Sequence, residues 1–219
     1  GNNTTFSVTA TGTGLTYQWQ ENGINITNGG IYSGATTSTL TLTGVTVGMT
    51  GRQYQVVITG TCAPTTSAPG ILTVNTLPLV TVNPVDATVC EGLGTSFSVT
   101  ATGTGITYQW QEDTGTGFVN LANGGVYSNV TTATLSISNV VGKGGYRYRA
   151  VVSGTCSPAS TSTSATLTEQ KNPVVTVPPS NSTVCAGNNT TFSVTATGTG
   201  LTYQWQENGL NIADGGIYS

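Results

Sequence analysis

The sequence predicts an all-β chain of tandem Greek-key β-sandwich domains, with no helices. Apolar and polar residues alternate along short segments, which is the pattern of half-buried strands, and no segment has the spacing of an amphipathic helix. Glycine-rich turns separate these segments about every ten residues, as in sandwiches built from seven or eight short strands. A long internal repeat, described next, adds that the sandwiches follow one another in series.

The chain is organised around the segment Thr-Tyr-Gln-Trp-Gln, which occurs three times. Its tryptophans are Trp19, Trp110 and Trp205, and they lie 91 and 95 residues apart (110 − 19 and 205 − 110). A period of this length suits a complete sandwich domain. We therefore predict a segment of a longer protein with three parts: residues 1–76, a repeat lacking its first strand; 77–171, a complete repeat; and 172–219, the N-terminal half of a third repeat.

Short linkers that contain proline separate the predicted domains. They occupy residues 76–78 (Thr-Leu-Pro) and 169–173 (Glu-Gln-Lys-Asn-Pro). Because the proline ring fixes one backbone dihedral, such linkers are stiffer than glycine-serine tethers. We expect consecutive domains to form an extended, stiff rod.

The complete repeat predicts eight strands. They lie near residues 80–82, 87–89, 96–102, 106–112, 118–121, 132–137, 146–153 and 163–168. Glycine-rich turns fall at 103–105, 123–125 and 142–145, and the repeats differ by an insertion in the loop at 113–117. The inward positions of the strands predict a structural core that includes Trp19, Trp110, Trp205, Tyr54 and Tyr148.

Composition excludes several classes of function. Charged residues are 6% of the chain, histidine is absent and only five residues are Lys or Arg, so there is no basic cluster for nucleic acid. The sequence has no nucleophile elbow, no phosphate-binding loop and no acidic pair placed alike in successive repeats, which predicts no catalytic residues and no enzyme. We expect no cofactor and no metal site; structural calcium at a domain junction is a minor alternative, because acids such as Asp86, Glu91, Glu112, Asp113 and Asp214 are not shared between repeats.

The order of these motifs resembles immunoglobulin-like domains. It is similar in particular to the immunoglobulin-like repeats of large surface proteins from Bacteroidota-type bacteria. The matching phrases are Thr-Val-Cys-Glu-Gly at 88–92, Tyr-Gln-Trp-Gln at 108–111, Gly-Gly-Val-Tyr-Ser at 124–128 and Gly-Thr-Cys-Ser-Pro at 154–158. The resemblance implies a secreted, surface-displayed stalk or adhesin. The usual disulfide between the two sheets is absent, and Tyr148 and Tyr54 would form tyrosine corners, with their hydroxyls bonded to upstream backbone.

The four cysteines occupy two repeat-equivalent sites. Cys90 and Cys185 each precede a phenylalanine by seven residues, while Cys62 and Cys156 each follow a tyrosine by eight. One cysteine of each kind per repeat indicates one disulfide per repeat in an oxidising compartment. We predict a Cys90–Cys156 bond, with Cys62 and Cys185 pairing beyond this chain. Because the two sites belong to opposite ends of a standard sandwich, a bridge between neighbouring domains or subunits is the open alternative.

The predicted function is the structural and adhesive repeat region of a long extracellular, cell-surface protein that forms a stiff stalk or filament. Its partners would be neighbouring repeats or copies of itself, and possible further partners are surface glycans or other cells. The alternative is a carbohydrate-binding array of an extracellular multidomain protein. That function needs exposed aromatic residues, and the candidates for ligand contact follow Gly-Gly turns: Tyr32, Tyr127 and Tyr218. No membrane span is predicted.

Overall fold

A computed structural model describes residues 3–219, and it confirms the all-β fold class. The first repeat forms the strands β1 (Thr4–Ser7), β2 (Thr16–Glu21), β3 (Ile24–Asn25), β4 (Tyr32–Ser33), β5 (Thr39–Leu42), β6 (Gln53–Thr59), β7 (Thr65–Thr66) and β8 (Gly70–Ile71). Among the described residues there is no α-helix, and the one helical element is a 3-10 turn at Val47–Met49. No helix in this part of the chain is long and apolar enough to cross a membrane.

The second repeat forms eleven strands. They are β9 (Leu79–Val82), β10 (Ala87–Cys90), β11 (Thr95–Ser98), β12 (Thr100–Thr102), β13 (Thr107–Asp113), β14 (Phe118–Asn120), β15 (Tyr127–Ser128), β16 (Thr134–Ile137), β17 (Arg147–Ser153), β18 (Ser160–Thr161) and β19 (Ala165–Gln170). The third repeat forms β20 (Val174–Val177), β21 (Thr195–Thr197), β22 (Gln206–Glu207) and β23 (Leu210–Asn211).

Two sheets face each other in the second repeat. One has the order β10-β19-β17-β13-β14, with β18 also paired to β17, and the other has the order β11-β16-β15. Strands β10 and β19 pair in parallel, while the remaining pairs of these sheets are antiparallel. The first repeat has the corresponding sheets β3-β2-β6-β7, with β8 on β6, and β1-β5-β4.

Alternation along β17 shows how the sequence forms the core. Tyr148, Ala150 and Val152 are buried, and the residues between them face outward. Tyr148 and Ala150 belong, with Phe97 and Trp110, to the core of the second repeat. A separate cluster around Trp19, Leu40, Leu42, Tyr54 and Val56 forms the core of the first repeat. Each of the two repeats therefore buries apolar side chains of its own.

The predicted strand at residues 96–102 is divided in the structure. Strand β11 pairs with β16, whereas β12 pairs with β9, and the register of the second pairing shifts between Thr100 and Ala101. One continuous segment therefore contributes to two sheets, and it changes from one to the other between Ser98 and Thr100. Two-residue strands such as β15 and β18 were not predicted, because so short a pairing leaves no period-two pattern to detect.

The chain divides into two compact units. One contains the first repeat through Leu77 together with Gly103–Gly105 and Thr155–Ser157, and the other contains Pro78–Thr102, Ile106–Gly154 and Pro158–Ser219. Two turns of the second repeat therefore belong to the same unit as the first repeat.

Candidate functional site

The repeated tryptophans lie in the core of the first two repeats. Trp110 is fully buried on β13, and its indole Nε1 donates a hydrogen bond of 2.9 Å to the Thr132 carbonyl oxygen. Trp19 makes the same bond, also 2.9 Å, to the Thr37 carbonyl oxygen. Neither ring is therefore available as a platform for a ligand. Trp205 is 39% exposed, because the third repeat in this chain stops before a counterpart of β17 that would face it.

A buried carboxylate at the end of β13 collects the tyrosine hydroxyls of the second repeat. Glu112 Oε2 accepts hydrogen bonds from Tyr127 and from Tyr148, the latter at 2.9 Å. Lys143 Nζ lies 3.9 Å from the same oxygen and 4.6 Å from the centre of the Tyr127 ring. The Tyr148 ring stacks on Phe97 with centroids 5.0 Å apart. This Glu-Tyr cluster is a polar network that connects the two sheets at the edge of the core.

Burial sets the protonation of these tyrosines. Burial first, then hydrogen bonds to Tyr127 and Glu112, raise the pKa of Tyr148 above its ordinary value. Burial followed by the Glu112 bond likewise raises the pKa of Tyr127. Both hydroxyls therefore remain protonated near neutral pH and act as donors to the carboxylate.

The first repeat has a similar cluster with two differences. Tyr32 donates to Glu21, and Arg52 Nη1 contacts Glu21 Oε1 at 2.5 Å, where the second repeat has a lysine. Tyr54 is the counterpart of Tyr148, but its buried hydroxyl has no hydrogen-bond partner among residues 3–219. The expectation that Tyr54 and Tyr148 form tyrosine corners is wrong, because one hydroxyl bonds a carboxylate and the other bonds nothing.

The third repeat carries the same tyrosine-glutamate pair, so the tyrosines proposed as ligand contacts share one environment. Tyr218 donates to Glu207 Oε2 at 2.7 Å, and this bond raises the pKa of Tyr218. Tyr32, Tyr127 and Tyr218 are all partly buried, and each uses its hydroxyl on a glutamate of its own repeat. Glu21, Glu112 and Glu207 follow Tyr-Gln-Trp-Gln in every repeat. The statement that the acids are not shared between repeats is therefore wrong for this position.

The inserted loop is closed by Asp113. This side chain is 2% exposed, and its Oδ1 accepts backbone N–H bonds from Gly115 (2.8 Å) and Gly117 (2.9 Å). Oδ2 contacts Arg147. The two N–H donors, and then Arg147, lower the pKa of Asp113 below its ordinary value. Positive φ angles of 108° at Gly115 and 110° at Gly117 allow the backbone to turn both N–H groups toward the carboxylate.

Asp86 and Glu169 are also used in internal contacts. Asp86 Oδ1 accepts the Thr166 N–H at 2.7 Å, and Glu169 contacts Lys171 at 2.7 Å. Lys171 lowers the pKa of Glu169, and Glu169 in turn raises the pKa of Lys171. Within residues 3–219 no group of three or more Cys, Asp or Glu side chains is placed to hold a metal ion.

The structure gives the four cysteines as free thiols, and it separates Cys90 from Cys156. Cys90 ends β10, in register with Gln170 at the end of β19, whereas Cys156 lies in the hairpin between β17 and β18. The ten steps of chain from Ser160 to Gln170 correspond to about 30 Å when extended, while a disulfide needs Cα atoms within about 7 Å. An intradomain Cys90–Cys156 bond therefore does not fit this fold.

Both linkers make the same contact with a Gly-Thr-Gly turn. The Thr76 N–H donates to Thr104 Oγ1 at 2.9 Å, and the Thr104 N–H donates to the Thr76 carbonyl oxygen at 3.2 Å. Lys171 and Thr199 repeat this pair of bonds at 2.9 and 3.0 Å. The contacts were not predicted, although the recurrence of Gly-Thr-Gly in every repeat was the available signal.

The fold defines the class of protein: the chain is a tandem array of immunoglobulin-like domains. An I-band fragment of titin, I67-I69, is similar with a TM-score of 0.74 and 20% identity, over 99% of this chain and 77% of that one. A variant of the same three domains in which Glu is mutated to Ala gives a TM-score of 0.73, with the same identity and coverage. These likenesses concern the fold alone.

The similarity of sequence is narrower. The chain is 32% identical to Endoglucanase C of Cellulomonas fimi over 126 residues, which is 57% of this chain and 11% of that protein. It matches no family model.

Proposed function

We propose that the chain is the structural and adhesive repeat region of a long extracellular, cell-surface protein, and that it forms a stiff stalk or filament. The observation that carries this proposal is the linker contact that recurs at Thr76–Thr104 and Lys171–Thr199. Two hydrogen bonds and a nearby proline restrict the backbone at each linker, which is the property that a stiff stalk requires. The domain boundaries near residues 76 and 171 are part of this proposal.

Close packing around the second linker supports the same function. Gly198 has a φ of 146°, and a Cβ added there would lie 3.0 Å from Pro173 Cα and 3.1 Å from the Asn172 carbonyl oxygen. A larger residue would force the linker away from the turn. The linker is thus held by contact on one side and by hydrogen bonds to Thr199 on the other.

Adhesion would depend on surfaces and not on a cleft. The aromatic and acidic candidates for a binding site form hydrogen bonds within their own repeat. Trp110, Glu112 and Asp113 are examples. The remaining surface is rich in hydroxyl and amide groups and carries little charge, which limits nonspecific attraction. Neighbouring repeats and further copies of the chain are the proposed partners, with open sheet edges as a mode of assembly.

Substitutions that make one linker more flexible test whether the linkers are stiff. We expect the double substitution Pro78→Gly and Thr104→Val to reduce the radius of gyration measured by small-angle X-ray scattering, because the first linker would lose its proline and a hydrogen-bond acceptor. Thr102→Val is the matched control, since Thr102 is exposed at the end of β12 and should leave the scattering unchanged. Identical scattering from all three chains would contradict a stiff linker.

A carbohydrate-binding array is the second candidate, and the observation that favours it is the similarity to Endoglucanase C. The name of that protein denotes an enzyme acting on a glucan, and this chain matches a small part of it. Retention of the chain on insoluble cellulose, lost in Tyr127→Ala but kept in Tyr127→Phe, would favour this function. Passage of the unmodified chain through cellulose without retention favours the stalk.

A further inference from the structure

The turn that carries Cys90 lies against the linker that leads to the third repeat. Glu91, the next residue, accepts the Asn172 N–H at 3.4 Å and lies 3.3 Å from Lys171 Nζ. The Asn172 side-chain amide also donates to the Glu91 carbonyl oxygen at 3.4 Å. The Cys90 thiol itself is exposed, with Gln170 Oε1 3.9 Å away. Cys90 thus marks the end of the repeat where the chain leaves it.

Cys62 and Cys156 lie in hairpins, and each hairpin is hydrogen-bonded to the Gly-Thr-Gly turn of its repeat. In the second repeat the Thr155 N–H donates to the Thr104 carbonyl oxygen at 2.9 Å, and Cys156 is the next residue. In the first repeat Thr61, which precedes Cys62, makes the same bond to Thr13 at 3.3 Å. The residue before each hairpin cysteine is therefore hydrogen-bonded to the Gly-Thr-Gly turn, which lies at the end where the chain enters the repeat.

The linker between the second and third repeats contacts both the turn of Cys90 and the Gly-Thr-Gly turn of the third repeat. Lys171 contacts Glu91, beside Cys90, and also Thr199, which is the counterpart of Thr104 in the third repeat. A hairpin on the Thr199 turn, placed as Thr155 is placed on Thr104, would bring its cysteine to the linker that Cys90 already adjoins. We propose that Cys90 forms a disulfide with the hairpin cysteine of the following repeat, so that the array is joined covalently from repeat to repeat.

This pairing between successive repeats explains why all four cysteines of this chain are free thiols. Cys62 and Cys156 are hairpin cysteines of the first and second repeats, while Cys90 and Cys185 are turn cysteines of the second and third. A turn cysteine needs the hairpin cysteine of the next repeat, and no two of these four stand in that relation. The proposal selects the bridge between neighbouring domains that the sequence left open.

The oxidation requires an acceptor of two electrons, for which a small-molecule disulfide such as oxidised glutathione suffices. One cysteine thiolate displaces a glutathione thiolate to give a mixed disulfide, and the second cysteine thiolate then displaces the other glutathione. One S–S bond breaks and one forms. The two cysteines lose two protons and two electrons, and two molecules of reduced glutathione are released.

The chain provides the segments needed for a test. Residues 187–219 differ from residues 1–33 at three positions only, where Ile24, Thr27 and Asn28 are replaced by leucine, alanine and aspartate. Appending a copy of residues 34–77 after Ser219 therefore completes the third repeat and supplies a copy of Cys62. After oxidation with glutathione disulfide and blocking with iodoacetamide, we expect a cross-linked peptide that joins Cys90 to this copy, with Cys62, Cys156 and Cys185 alkylated.

Controls separate this bond from the alternatives. Cys90→Ser in the extended chain should leave the remaining four cysteines alkylated, whereas Cys156→Ser should leave the cross-link intact. A second chain, extended with a copy of residues 129–171, carries a copy of Cys156 instead and should form the same bond if the first fails to fold. A Cys90–Cys156 peptide, a bond from Cys185 to the appended cysteine, or full alkylation of both extended chains would overturn the proposal.

Discussion

Replacing Trp110 with alanine is expected to lower the free energy of unfolding of the second repeat by about 3–5 kcal/mol. The side chain is fully buried, so the substitution creates a cavity and also leaves the Thr132 carbonyl oxygen without its indole donor. Because domains of this size have only about 5–15 kcal/mol of stability, much of the second repeat's margin would be lost.

Chemical denaturation of the unmodified and substituted chains measures this effect. The transition of the second repeat should move to a lower denaturant concentration in Trp110→Ala. Trp205→Ala is the matched control, because that side chain is 39% exposed in this chain and its removal should have a much smaller effect. Equal shifts for both substitutions would show that the second repeat does not depend on a buried tryptophan.

Removing the hydroxyl of Tyr148 should destabilise the second repeat by about 1.5–3 kcal/mol, because its hydrogen bond to a charged group is lost. Tyr148→Phe deletes the donor that meets Glu112 at 2.9 Å in a fully buried position. The ring and its stacking on Phe97 are preserved, so the hydroxyl is the only group changed.

The first repeat supplies the matched comparison. Tyr54 occupies the equivalent position, but its hydroxyl is buried with no partner. Tyr54→Phe removes an unsatisfied polar group and should leave the stability of the first repeat unchanged or increased. Thermal denaturation of the two single variants, each compared with the unmodified chain, measures the two changes in stability. A loss of stability in Tyr54→Phe as large as that in Tyr148→Phe would contradict this view of the clusters.

The strands could be predicted because their determinants are local. Period-two alternation located β13 and β17 to within a residue, and it identified Trp110 and Tyr148 as inward positions. Such a pattern shows which side of a strand faces the core, and it can be recognised from neighbouring residues of that strand alone.

The clusters could not be predicted in the same way, because they depend on pairing across the sheet. The register of β13 with β17 places Glu112 opposite Tyr148, and the register of β2 with β6 places Glu21 opposite Tyr54. Sequence spacing carries no information about that register. The shared glutamate after Tyr-Gln-Trp-Gln was the one available signal, since it recurs in all three repeats.

The cysteine pairing is underdetermined for a related reason. One cysteine of each kind per repeat is compatible with one bond within each repeat, and equally with one bond that joins two successive repeats. Cys90 aligns with Gln170 at one end of the sandwich, and Cys156 lies in the hairpin at the other. The direction of the parallel β10–β19 pair agrees with the opposite ends that a standard sandwich assigns to the two sites.

If the repeats are mechanical modules of a stalk, as we propose, stretching the chain by its two ends should show their resistance to force. Strands β10 and β19 lie near the beginning and the end of the second repeat and pair in parallel from Ala87–Leu167 to Cys90–Gln170, so tension loads these hydrogen bonds together in shear. A force measurement should record the second repeat as one abrupt, high-force event. Thr88→Pro, which removes an N–H donor from β10, should lower that force. Gradual extension of the unmodified chain, or the same force in the variant, would contradict the claim.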